Sequence, residues 1–101
     1  MPPVPVKLLP IAQEDVSQAL AVIAVEDPAA AEKLRQGFLK ALEQVSMYPY
    51  SGTEIMVGGR NRRVYHRLYV APYVMYYRVI QDTVVVMRVL HERMDRRKHL
   101  P

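Results

Sequence analysis

Residues 63–90 read RVYHRLYVAPYVMYYRVIQDTVVVMRVL, and this stretch decides the fold. Arg63 to Val70 alternates, with Val64, His66, Leu68 and Val70 on one side and Arg63, Tyr65, Arg67 and Tyr69 on the other, which is the period of a strand. Ala71-Pro72 is a tight link. Tyr73 to Ile80 is rich in aromatic and β-branched residues, which favour strands. Gln81-Asp82 reads as a two-residue turn, so the second and third runs form a hairpin. Thr83 to Leu90 is apolar on both sides and is expected in the middle of the sheet. The three runs predict an antiparallel meander.

Upstream of residue 63 the period changes. Val4 to Leu9 predicts a short strand after an extended, frayed start; its prolines cannot donate to a ladder, so it is expected at a sheet edge. Val16, Leu20 and Ile23 then fall at i, i+4 and i+7, the stripe of an amphipathic helix. Glu14 and Asp15 are read as solvated first-turn acids that favour the helix dipole. Asp27-Pro28 breaks the helix and starts another, with Asp27 as its N-cap. Leu34, Phe38, Leu42 and Val45 form the stripe of this second helix, which runs to about Ser46. Residues 47–61 contain Pro49, Gly52, Gly58 and Gly59 and are expected to form a long loop, with Gly58-Gly59-Arg60 as a turn before the meander. The expected fold is α+β: an N-terminal strand, a helical hairpin and a three-stranded antiparallel meander, with the helices packed on one face of the sheet.

The 101 residues are expected to make one domain, 1–101. Half of them are hydrophobic, which argues against a disordered chain. There is no cysteine, so disulfides, thiolate metal sites and cysteine nucleophiles are excluded. No apolar run approaches the ~20 residues of a membrane helix, and the start lacks a signal-peptide pattern. A cytoplasmic protein with no membrane partner is the expectation.

The net charge of +4 is unevenly divided. Residues 1–54 carry four cations against seven acids, a net of −3; residues 55–101 carry ten cations against three acids, a net of +7. All of the later cations except Lys98 are arginine, whose planar fork suits carboxylates and phosphates. An acidic partner follows, either nucleic acid or an acidic peptide.

Few residues suggest chemistry. His66, His91 and His99 lack metal-ligand spacing, and neither a metal nor a cofactor is expected. His66 reads as a partly buried histidine with a partner, and His91 as a rim residue with a binding or acid–base role. Glu54 reads as a solvated loop residue. The Gly58-Gly59-Arg60 run lacks the spacing of a phosphate loop. The informative residues are the arginines. Arg63 and Arg67 share a strand side with Tyr65 and Tyr69, which fits phosphates and stacked bases or, equally, a solvated surface with cation–π pairs. Arg78 and Arg88 interrupt apolar strands and require an acidic partner or a way out to the rim. The tail cluster Arg93, Arg96, Arg97 and Lys98 is either a solvated end or a docking element for an acidic surface.

Several stretches resemble the RelE/ParE superfamily of type II toxins, the ParE branch most closely. They are the AQEDV of residues 12–16, EDPAAA of 26–31, YPYSG of 48–52 (close to the family's hydrophobic-Pro-x-x-Gly), YVMYYRV of 73–79, VLHERMD of 89–95 and RRKHL of 96–100. Each is loose, while their order and spacing over residues 6–100 are specific. The resemblance implies a toxin that inhibits DNA gyrase by protein contact and so blocks replication, the action of plasmid-stabilisation modules, with no covalent chemistry of its own. It implies target contacts at Arg60, Arg63, His91, Arg93, Arg96 and Arg97. It also implies a cognate antitoxin from the adjacent gene, in a hetero-oligomer, whose acidic arm docks around Leu20, Ile23, Leu34 and Phe38. The RelE-like branch cleaves messenger RNA on the ribosome. It carries basic residues at the positions of Tyr65 and Arg67, arginines at Val74 and near Arg93, and often an aromatic near His99. Arg67 and Arg93 fit that pattern, whereas Tyr65 and Val74 do not; a missing positioned cation costs ~3–4 kcal/mol of transition-state stabilisation. A nuclease alternative would use His91, Arg67 and Arg93. A third reading is an inactive remnant that retains antitoxin binding.

Overall fold

A computed structural model describes residues 2–100. The order is β1 (Val6–Leu8), α1 (Pro10–Glu26), α2 (Pro28–Met47), β2 (Thr53–Val57), β3 (Arg63–Val70), β4 (Tyr73–Ile80), β5 (Thr83–His91) and a 3-10 turn (Arg96–Lys98). One five-stranded sheet has the order β1-β5-β4-β3-β2. β1 runs parallel to β5, and the remaining pairs are antiparallel. The α+β class, the edge position of β1 and the meander are as the sequence predicts. The helical hairpin covers one face of the sheet, where Ala12, Ala19, Leu34, Phe38, Val45, Met75, Tyr77, Val84 and Val86 form the main core.

Local chemistry sets the boundaries. Pro10 opens α1 in the first turn, where the absent N–H costs nothing. Asp27 caps α2 by accepting from the Ala30 N–H at 3.0 Å. The Gln81-Asp82 turn has φ of 49° and 59°, the left-handed pair of a type I′ hairpin that matches strand twist. The N-terminal segment is tied down rather than frayed at Val4 and Pro5: the Val4 N–H donates to the Ser46 carbonyl at 2.9 Å, and the Val84 N–H donates to the Pro5 carbonyl at 2.9 Å.

Two expectations are corrected. The segment 47–61 is not all loop, because Thr53–Val57 pairs antiparallel with Arg63–Arg67 as an edge strand. Its outer side is exposed, while Ile55 and Val57 pack against the sheet's second face. Asp15 is not a solvated first-turn acid. It lies in the second turn of α1, and its carboxylate accepts from Arg88 Nε at 2.8 Å, Arg88 Nη2 at 3.0 Å and the Val89 N–H at 3.0 Å. The two side chains are only 15% and 14% exposed. Arg88 therefore finds the acidic partner it requires, and the Asp15 hydrogen bonds raise its pKa further above the ordinary guanidinium value against the opposing effect of burial.

Gly52, in the Tyr48–Gly52 motif, marks a close approach. Its N–H donates to the Tyr77 hydroxyl at 2.9 Å, and a Cβ there would lie 2.7 Å from the Arg67 carbonyl oxygen. Gly52→Ala is expected to destabilise the fold by about 2–3 kcal/mol through overpacking against backbone. Asp15→Ala is expected to cost about 3 kcal/mol by leaving Arg88 unpaired. Both values are read from urea unfolding at neutral pH, and a change under about 0.5 kcal/mol, the range of an ordinary surface substitution, contradicts the assignment.

Candidate functional site

The sheet separates two surfaces of different chemistry. On the helix side, α2 and the β3–β4 turn border a groove of about 590 Å³. Its apolar wall includes Ile23, Leu34, Ala41 and Val70, and Lys33 and Lys40 supply positive charge. Gly37 lets α2 approach β3, since a Cβ there would stand 3.0 Å from a Val70 methyl. Of the four residues expected to receive the antitoxin arm, Ile23 and Leu34 line this groove. Leu20 opens instead on a shallower depression beside Pro28 and Arg35. Phe38 is 4% exposed, its ring set against Tyr73 with centroids 6.2 Å apart, and belongs to the core.

The opposite face carries a second, smaller core of Tyr65, Val74, Tyr76, Leu90 and Leu100. The tail makes it possible. After β5 the chain turns through Glu92 and Arg93, and Asp95 caps the 3-10 turn by accepting from the Arg97 N–H at 3.0 Å. Leu100 then folds onto the sheet, while Arg88 Nη1 donates to the His99 carbonyl at 3.3 Å. Tyr65 is thus fully buried, which corrects the expectation of an open arginine–tyrosine surface on β3. The alternation is right, but the tail covers the middle of that side. Arg78 takes the rim exit, its guanidinium 5.7 Å from the Tyr65 ring centroid.

Around this covered centre the arginines gather. Arg63, Arg96 and Arg97 border a depression of about 400 Å³ whose floor is Met56, Val57 and Leu100. Arg67, Arg96 and Arg97 border a second of about 350 Å³ that also contains Val74, Tyr76, Glu92 and Asp95. Asp95 bonds Arg97 at Nε (3.1 Å) and Nη2 (3.3 Å), and these bonds hold its carboxyl below the usual aspartate range. Arg67 Nε is buried and without a hydrogen-bond partner among the described residues.

The structure therefore brings together Arg63, Arg96 and Arg97 from the expected target-binding set. Arg60, in the β2–β3 loop, and Arg93, in the turn after β5, are exposed and line neither depression. His91 ends β5 on the helix side: its ring meets Tyr73 edge-on at 5.4 Å, and its Nδ1 accepts from the Arg93 N–H at 3.2 Å. Arg67 faces the other way, so His91 and Arg67 stand on opposite sides of the sheet. His66 is 4% exposed, stacked on Tyr77 at 5.4 Å and edge-on to Tyr50 at 5.6 Å. Its Nδ1 has no hydrogen-bond partner among the described residues, so aromatic rings supply the partnership expected of it. Glu54 is exposed on β2, opposite His66. Among the described residues, no helix is long and apolar enough to cross a membrane.

A helical hairpin on one face of a mixed five-stranded sheet, with a cationic tail folded over the other, defines a small α+β protein with two separate contact surfaces. A solved structure titled "Chromosomal ParDE TA system from P. aeruginosa" shares this fold, with a TM-score of 0.68, 15% sequence identity, and coverage of 87% of this chain and 95% of that one. Residues 6–96 match the family described as "ParE toxin of type II toxin-antitoxin system, parDE". The chain belongs to the ParE toxin family. No curated protein matches its sequence.

Two phenols constrain the pH range. Burial raises the pKa of Tyr65 and of Tyr77 above the ordinary value of 10, only partly offset by Arg78 and Arg63 near Tyr65 and by the Gly52 and Ser51 hydrogen bonds to Tyr77. The folded state therefore holds these protons more tightly than the unfolded chain does. The associated stability is fully present below pH 10 and is lost as pH rises through the folded pKa values. Thermal melts are expected to fall steeply above pH 10, and less steeply in a Tyr77→Phe variant.

Proposed function

We propose that this ParE-family toxin inhibits DNA gyrase by protein contact through the arginine face, and that a cognate antitoxin neutralises it. The observation that carries the reading is the division of labour across the sheet. The tail places Arg96 and Arg97 beside Arg63 over an apolar floor, a surface built for contact. The nuclease alternative is poorly served. Its histidine is on one side of the sheet and its Arg67 on the other, with Arg93 outside both depressions. The depression around Arg67 holds Val74, not a cation, and Glu92 and Asp95 oppose a scissile phosphate there. The antitoxin's place is the helix-side groove, where an apolar floor flanked by Lys33 and Lys40 fits an acidic arm that folds on binding. The two chains form a hetero-oligomer in the cytoplasm, where gyrase works.

Purified protein is expected to inhibit supercoiling by gyrase, and Arg63→Ala combined with Arg96→Ala to weaken inhibition by about tenfold or more, as loss of charge-assisted contacts implies. Transcripts remain intact in expressing cells, and cells filament. Unchanged supercoiling at a large excess of the protein overturns the reading; transcript cleavage abolished by His91→Ala favours the ribonuclease. Co-expression of the neighbouring gene's product is expected to restore growth, and Lys33→Glu with Lys40→Glu to weaken the complex without reducing gyrase inhibition.

A further inference from the structure

The charge division of the sequence points to an acidic partner and leaves two kinds open, nucleic acid and acidic peptide. The two arginine depressions differ in a way that bears on the choice. The one around Arg67 neutralises itself, because Glu92 and Asp95 line it and Asp95 engages Arg97 through two side-chain bonds. The one between β2 and the tail has three arginines and no carboxylate in its lining. Arg63 and Arg96 have no ion-pair partner among the described residues. Its floor is a thioether and two aliphatic side chains, Met56, Val57 and Leu100.

We propose that this β2–tail depression is a seat for an extended acidic peptide segment, taking a carboxylate on Arg63 and Arg96 and the apolar side chain beside it on the Met56–Leu100 floor. This rests on reading the arginine face as a protein-contact surface. An arginine fork holds a carboxylate through two parallel bonds. The apolar floor supplies what a phosphodiester cannot use. Proteins that hold single strands join cations to aromatic platforms on which bases stack, and no aromatic side chain lines this depression. Tyr69, an exposed ring on the same side of β3, stands at the other, acid-containing depression. A third feature concerns the backbone. β2 is the outermost strand of the sheet, so beside the depression its outward N–H and C=O groups are open to an added chain. A segment alternating acidic and apolar residues presents its carboxylates, its apolar side chains and its backbone together to arginines, floor and strand edge.

The test is fluorescence anisotropy of the full chain with a labelled peptide alternating leucine and glutamate. Its companions are a peptide with serine in place of leucine and a single-stranded RNA of equal charge. The Leu/Glu peptide is expected to bind, Arg63→Ala and Arg96→Ala each to weaken it by about tenfold, and the serine peptide to bind about tenfold more weakly. Lys7→Ala removes a charge at the opposite sheet edge and is expected to leave affinity within about twofold, as a screened distant charge should. Arg63→Lys preserves charge but not the fork and is expected to fall between the wild type and Arg63→Ala. Tighter binding of the RNA, equal binding of the serine peptide, or an equal loss from Lys7→Ala overturns the proposal. The serine peptide and the RNA are measured on unaltered protein, so these outcomes do not depend on a variant's folding. Gyrase is absent from the assay. A chain that seats the peptide and leaves supercoiling unchanged overturns the proposed target alone, and one that inhibits gyrase without seating the peptide overturns the seat alone.

Discussion

Asp15 and Arg88 meet where β1 runs out. β1 pairs with β5 only as far as Leu8 opposite Val86, and beyond that point β5 has an open edge. The Asp15 carboxylate fills it, taking the Val89 N–H as a neighbouring strand would and holding the Arg88 fork at the same time. A ladder irregularity between Tyr76 and Tyr77 leaves Met87 without an opposite partner, and a bulge of this kind bends a strand and re-aims its side chains. Arg88 then spans from α1 to the His99 carbonyl in the tail. One ion pair thus ties the helix layer, the sheet edge and the C-terminal segment together, and the position of every tail arginine depends on it. Such a pair contributes little net stability over a well-packed apolar replacement, because desolvating the charges offsets their attraction. What it does supply is geometry.

The sheet separates two acid-accepting surfaces of different character. The helix-side groove is mainly apolar, with two lysines, and lysine is a flexible point charge. The tail-side depression has three arginines over a small apolar floor. The net of −3 in residues 1–54 conceals the first surface, because the acids of the helical half lie elsewhere while Lys33 and Lys40 share one groove. The +7 of residues 55–101 overstates the second: Arg88 is consumed by Asp15, Arg97 is partly held by Asp95, and Arg78 rests on Tyr65.

Features set by neighbouring residues were legible in the sequence. The Asp27 cap, the proline at the start of each helix, the Gln81-Asp82 turn and the period of the meander all follow from backbone and side-chain chemistry within a few positions. Features set across the chain were not. Asp15 looks like any helical acid until Arg88, 73 residues later, is placed beside it. Tyr65 lies on the predicted side of β3, and its burial comes from Leu100. The strand β2 carried a faint signal, Thr53, Ile55 and Val57 alternating between Gly52 and Gly58, and an edge strand with one exposed side needs no stronger pattern. For the site, the residue types were legible and their grouping was not. The tail fold decides that Arg63 joins Arg96 and Arg97 while Arg60 and Arg93 stand apart.

The parallel pairing of β1 with β5 bears on the order in which the protein is made. Val6 lies opposite Val84, so the first strand must wait for the last, and pairings this distant in sequence form slowly because a long loop is closed before any contact rewards it. The helical hairpin and the β3–β4–β5 meander are built from local contacts and can form while the chain is still emerging. Neither the Asp15–Arg88 clasp nor the folded tail can. The helix-side groove, except for the β3–β4 turn, is written in the first half of the chain, and the arginine face is completed only by its final residues. During synthesis, the surface that would receive a neutralising partner takes shape before the surface that would do harm.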